Sequence, residues 1–202
     1  MSEPGGTTID ARRQMVTAMS NDALIVDLLQ TVNHLSRWLT PIHDQVRLDL
    51  TSRRSQVSVK DLLQGLRDHE VKGYSFMNAI VTQINPDLDR VPAQDRSPLQ
   101  READAGASAL IVMAEFRRVR ESSTSLLRAL PDNAWSRGGY SRTSRDWTIR
   151  ELAESLAIND WEQLGLIDEA LNESGLRKSV ARVSQVPRDR LREPFLAALD
   201  SR

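Results

Sequence analysis

The chain of 202 residues contains no cysteine. That excludes a disulfide framework, a thiolate zinc site, an iron–sulfur cluster and a cysteine nucleophile. Histidine is nearly as scarce: His34, His43 and His69 are the whole supply, little material for a histidine-rich metal centre. Net charge is almost absent, with 27 basic side chains against 28 acidic ones and a formal balance of −1. That balance gives no electrostatic ground for nucleic acid, which is not expected as a partner. The longest apolar run, residues 109–114, is far too short to span a bilayer, so no membrane partner is expected either. Residues 1–8 are polar and glycine-rich, without the basic start and apolar stretch of a secretory signal. A soluble cytoplasmic protein without a cofactor is the expectation.

What is present is helical periodicity, and 40% apolar residues suffice for one packed core. Residues 22–39 carry Ile25, Leu28, Val32, Leu35 and Leu39 at spacings of three and four, the stripe of an amphipathic helix. Asp22 stands as its N-cap and Pro41 ends it. A second stripe over 59–85 runs through Val59, Leu62, Leu66, Gly73, Met77, Ile80 and Ile84. A proline-containing link, 86–98, leads to a third helix over 99–130 with Val112, Phe116, Val119, Ser123, Leu126 and Leu130 on one face. After a loop marked by Pro131 and Gly138–Gly139, a fourth helix over 149–173 carries Ile149, Leu152, Leu156, Ile167 and Ala170, with Gly175 as its terminator. Four such helices and one long crossover indicate an all-α four-helix bundle over 21–175. Residues 1–20 form a short arm, helical from Ile9 to Met19. Residues 176–202 form an arginine-rich tail, helical over 188–199, expected to pack on the bundle or on a partner.

A weak internal repeat relates two of these helices. Ser58-Val-Lys-Asp-Leu62 and Thr148-Ile-Arg-Glu-Leu152 match position by position at an offset of 90 residues. Each pairs a hydroxyl with an acid three residues later, the pattern of a capping box. The same offset sets Glu70 against Asp160 and Gly73 against Gln163, and polar Asn159, Asp160 and Gln163 interrupt the fourth stripe. Buried polar groups without partners cost about 1–3 kcal/mol each. Three explanations fit this clustering: a polar ligand pocket between helices, a hydrogen-bonded network fixing their register, or a rotation sending Glu70 and Asp160 to solvent.

Several stretches resemble the DinB/YfiT-like family. They are Leu110-Ile-Val-Met-Ala-Glu-Phe-Arg-Arg-Val-Arg, then Leu126 to Gly138 around Trp135 and Arg137, then Trp147-Thr-Ile-Arg-Glu-Leu152, and the second-helix stretch Val57 to Glu70. The resemblance covers roughly residues 20–175 and implies a bundle in up-down-down-up order, often a homodimer. Members of that family commonly hold a divalent metal on three histidines, one from the second helix and two as an HxxxH pair on the fourth. Characterised relatives include bacillithiol-dependent transferases and a mycothiol-dependent isomerase. Where the resemblance places those histidines, this chain has Gly65, Asn159 and Gln163, while the neighbouring acids Glu70 and Asp160 match. Amide oxygens are poor substitutes for imidazole on a zinc-like ion.

The reading that follows is a degenerate bundle without the metal, a pseudoenzyme that binds a small molecule or a partner. Its pocket is assigned to Glu70, Asn159, Asp160 and Gln163, with Gly65 and His69 beside them. The alternative is a thiol-dependent transferase or isomerase whose site is metal-free or rebuilt from His69, Glu70 and Asp160. No phosphate loop, GxSxG elbow, HExxH or EF-hand loop is present. Ser123 is read as a packing residue, and His34 and His43 as surface histidines. Trp135 and Trp147 are read as covers of the bundle end, and Trp38 and Trp161 as lining the core or a dimer seam.

Overall fold

The computed structural model describes residues 9–51, 56–92 and 97–176. It contains α1 (Ile9–Ala18), α2 (Asn21–Leu39), α3 (Val59–Thr82), α4 (Pro98–Gly106), α5 (Ala109–Ala129) and α6 (Ile149–Glu173). Strands β1 (Gly138–Gly139) and β2 (Trp147–Thr148) pair antiparallel just before α6. The expected capping boxes form at both repeat positions. Ser58 and Asp61 exchange hydrogen bonds at the start of α3, and Thr148 and Glu151 do so at the start of α6. Both satisfy amides that the first helical turn otherwise leaves unpaired.

Three element boundaries differ from the sequence expectation. Ser20 caps α2, its hydroxyl accepting from the Ala23 amide, and Asp22 falls in the first turn, where it favours the helix dipole instead. The third helix is broken: Ala107 is extended, and the Ser108 hydroxyl accepts from Ile111 to begin α5 afresh. α3 ends at Thr82, so Ile84 lies beyond the helix and is 96% exposed.

Cross-helix contacts fix the directions. α3 and α6 run antiparallel, because Gly73 abuts Leu156 while Glu70, a turn earlier, shares Arg120 with Asp160, a turn later. α3 and α5 run parallel, since Arg67 reaches Glu115 and Glu70 reaches Arg120. α2 opposes α5, with Leu28 at Arg120 and Asn21 at Asp132. It runs alongside α6, where Asn21 meets Arg150. The order is therefore up-down-down-up, and α2 and α3 each pack on both α5 and α6.

The core has two apolar ends. One gathers Leu35, Trp38, Leu39, Leu66, Phe116 and Leu164; the other gathers Leu24, Leu28, Met77, Leu127, Ile149 and Leu156. Between them lies a buried polar layer with Thr31 from α2, Glu70 from α3, Arg120 and Ser123 from α5, and Asp160 from α6. Ser123 donates to the Val119 carbonyl and packs inside the bundle. His34 is not a surface residue: it is 1% exposed and meets the ring of Trp38 edge-on at 5.6 Å. Thr31, His34, Leu35 and Trp38 together widen the inner face of α2 beyond its aliphatic stripe. Trp38 is wholly buried in the core and His43 is exposed.

α1 docks through a buried ion pair, Arg12 to Asp27 at 2.5 Å. It is further held by Arg150, which donates to the carbonyls of Val16 and Met19. No helix among the described residues is long and apolar enough to cross a membrane. The expected tail helix, 188–199, lies outside the described residues.

Candidate functional site

The polar layer is closed by one arginine that the sequence reading did not single out. Arg120 pairs with Glu70 at 2.6 Å and with both oxygens of Asp160 at 2.6 and 2.9 Å. It also donates to the Leu28 carbonyl at 2.8 Å, so one side chain touches all four bundle helices. All three charged groups are 1% exposed or less. Burial opposes the guanidinium's charge, but Asp160 and Glu70 together outweigh it and hold Arg120 above its ordinary range. The signal for Arg120 is its spacing, four residues past Phe116 on the core face of α5. Of the three explanations offered by the sequence, the geometry of Glu70 and Asp160 is that of a register-fixing network, and neither reaches solvent.

A groove opens above this layer along the α3–α6 seam. Its first half, about 360 Å³, is lined chiefly by Gly73, Phe76, Leu88, Trp147, Leu152 and Leu156. The second, about 470 Å³, extends past Asn159 towards Arg13 and Thr17 of α1. His69, Trp147 and Ser155 line both halves and make them one continuous surface. Trp135 is buried at the bundle end as expected, whereas half-buried Trp147 forms a groove wall with Arg145 stacked 3.8 Å from its ring. Gly73 belongs to the close packing of this seam: a Cβ there would come 2.9 Å from Leu156.

The apolar half is walled on its far side by an ordered loop. Asp89 accepts from the hydroxyls of Ser141 and Thr143 and from the amides of Arg142 and Thr143. Those bonds, led by the Thr143 hydroxyl, lower its carboxyl to about 2. The His69 imidazole is lowered as well, by a different cause. Burial pushes it below the ordinary value, against the pull of Asp160 and Glu70, and keeps it neutral at pH 7.

The six residues singled out by the sequence therefore divide. His69 and Asn159 line the groove. Glu70 and Asp160 lie beneath it, bound to Arg120. Gly65 is exposed, with open space where a side chain would project, and Gln163 is half-buried, outside the groove lining. Among the described residues no group of three or more histidine or carboxylate ligands converges on a point. The donor set does not fit the three-histidine metal of the resembled family: the matching positions carry a glycine and two amides, and the adjacent carboxylates are committed to a guanidinium.

No protein-family profile and no curated protein sequence matches the chain. Among solved structures it is similar to YfiT from Bacillus subtilis, described as a probable metal-dependent hydrolase with an unusual four-helix bundle topology. The TM-score is 0.65 at 20% identity, over 78% of this chain and 91% of YfiT. At that identity the likeness concerns the fold, and the fold of this chain is the YfiT-type four-helix bundle.

Proposed function

We infer that this chain is a DinB/YfiT-like bundle that has given up the three-histidine metal and binds a small molecule in the α3–α6 groove. The observation that carries the reading is the pairing of two facts at one seam. The positions expected to bear metal ligands hold Gly65, Asn159 and Gln163, yet a groove lined by Asn159 remains open along the seam. Its central polar groups are also uncommitted: His69, Ser155 and Asn159 make no side-chain hydrogen bond among the described residues. Polar side chains half-removed from water and left without protein partners are suited to receive a ligand's polar atoms.

Elemental analysis of the purified chain tests the first half of this reading. Substoichiometric zinc, nickel, manganese and iron are expected, and one tightly held ion per chain would contradict it. The second half is tested by soaking or titrating small fragments: occupancy is expected along His69 and Trp147, and fragments that bind only elsewhere would overturn the site.

A further inference from the structure

Resting on that groove as the ligand site, charge narrows the ligand class. The Glu70–Arg120–Asp160 triad sets two carboxylates against one guanidinium, and Glu70 Oε1 has no hydrogen-bond partner among the described residues. A net negative charge thus lies in the layer next to His69, whose imidazole feels both carboxylates and, against them, Lys72 and Arg120. The groove walls do not reverse it. Their acids, Asp89, Glu151, Glu154 and Glu162, are balanced by the bases Arg13, Lys72 and Arg145 together with Arg150, which pairs with Glu154. Arg145 is spent on Glu151 and on the face of Trp147. Lys72 lies over the Phe76 ring, 5.6 Å from its centroid. The neutral imidazole and the hydroxyl of Ser155 can each donate or accept, and the Asn159 amide can do both. Beside them Phe76, Leu88, Leu152 and Leu156 form an apolar wall with room for a ring.

We propose that the groove takes an amphipathic small molecule whose ring or short apolar chain lies against Phe76, Leu152 and Leu156. Its polar head, uncharged or cationic, is held by His69, Ser155 and Asn159. An anionic head is repelled by the charge buried under the seam, which is screened less than a surface charge.

The test is a calorimetric or ligand-observed magnetic resonance titration of the full chain with three probes of one shape: benzylamine, benzamide and benzoate. Benzylamine and benzamide are expected to bind at least about fivefold more tightly than benzoate. Ser155→Phe, which fills the middle of the groove from a half-buried position, is expected to abolish binding while circular dichroism and melting stay unchanged. If Ser155→Phe unfolds, competition with a paramagnetic benzylamine analogue that broadens the His69 and Trp147 resonances replaces it. Equal or tighter binding of benzoate overturns the charge inference and leaves the groove as a ligand site. Failure of all three probes to bind, or binding that leaves His69 and Trp147 unperturbed, overturns both.

Discussion

At the scale of single residues, Arg120 decides most. Its guanidinium is the counter-ion shared by two buried carboxylates from two helices, so its removal strands both charges. Arg120→Ala is expected to cost about 3–5 kcal/mol in chemical denaturation, the usual result of breaking a buried pair from one side. A loss below about 1 kcal/mol would show that the layer is not closed as described. Asn159 behaves differently: its side chain has no partner among the described residues, so Asn159→Leu should change stability by less than about 1 kcal/mol while altering fragment binding. His69 gives a pH signature. Its folded pKa lies below the ordinary 6.5, so the unfolded chain takes up the proton more readily. Stability is therefore full above that value and falls as pH drops through it, a trend His69→Gln should flatten. The Asp89 carboxyl, titrating near 2, should show no chemical-shift change by magnetic resonance until pH falls well below the ordinary aspartate range.

At the scale of elements, the starts of α3 and α6 were readable because capping is local chemistry. Ser58 with Asp61 and Thr148 with Glu151 sit where hydroxyl and acid spacing put them, and α6 spans the residues its periodicity marked out. Each cap is worth about 1 kcal/mol, and Thr148→Ala should lower stability by roughly that amount in urea unfolding. Elements shaped by tertiary contacts were not readable in this way. The break between α4 and α5 is spanned by Arg67 of α3, which binds Asp104 of α4 and Glu115 of α5. Burial of His34 depends on how widely α2 turns its face inward. Arg120 looked like one of many arginines, because only the approach of Glu70 and Asp160 gives its charge a buried partner. The repeat signalled that those two acids correspond, but not that a third helix would join them.

At the scale of the whole molecule, two apolar core ends are divided by a charged layer, with a groove over their seam. Fold class and helix directions agree with the sequence reading, and the YfiT-type topology is common to a distant structure. Chemistry does not travel with topology, because the groove's character is set by a few side chains on α3 and α6. Antiparallel packing places Gly65 across from the turn of α6 that holds Gln163, with Asn159 one turn away. Gly65 also has open space for a larger side chain. On the proposed reading, histidines at these three positions are what this chain lacks for a metal site. Side-by-side calorimetric titration of Zn²⁺ into the native chain and into the triple variant Gly65→His, Asn159→His, Gln163→His measures this. The native chain is predicted to bind no stoichiometric ion and the triple variant one ion per chain; one tightly bound ion in the native chain, or none in the folded variant, would contradict it.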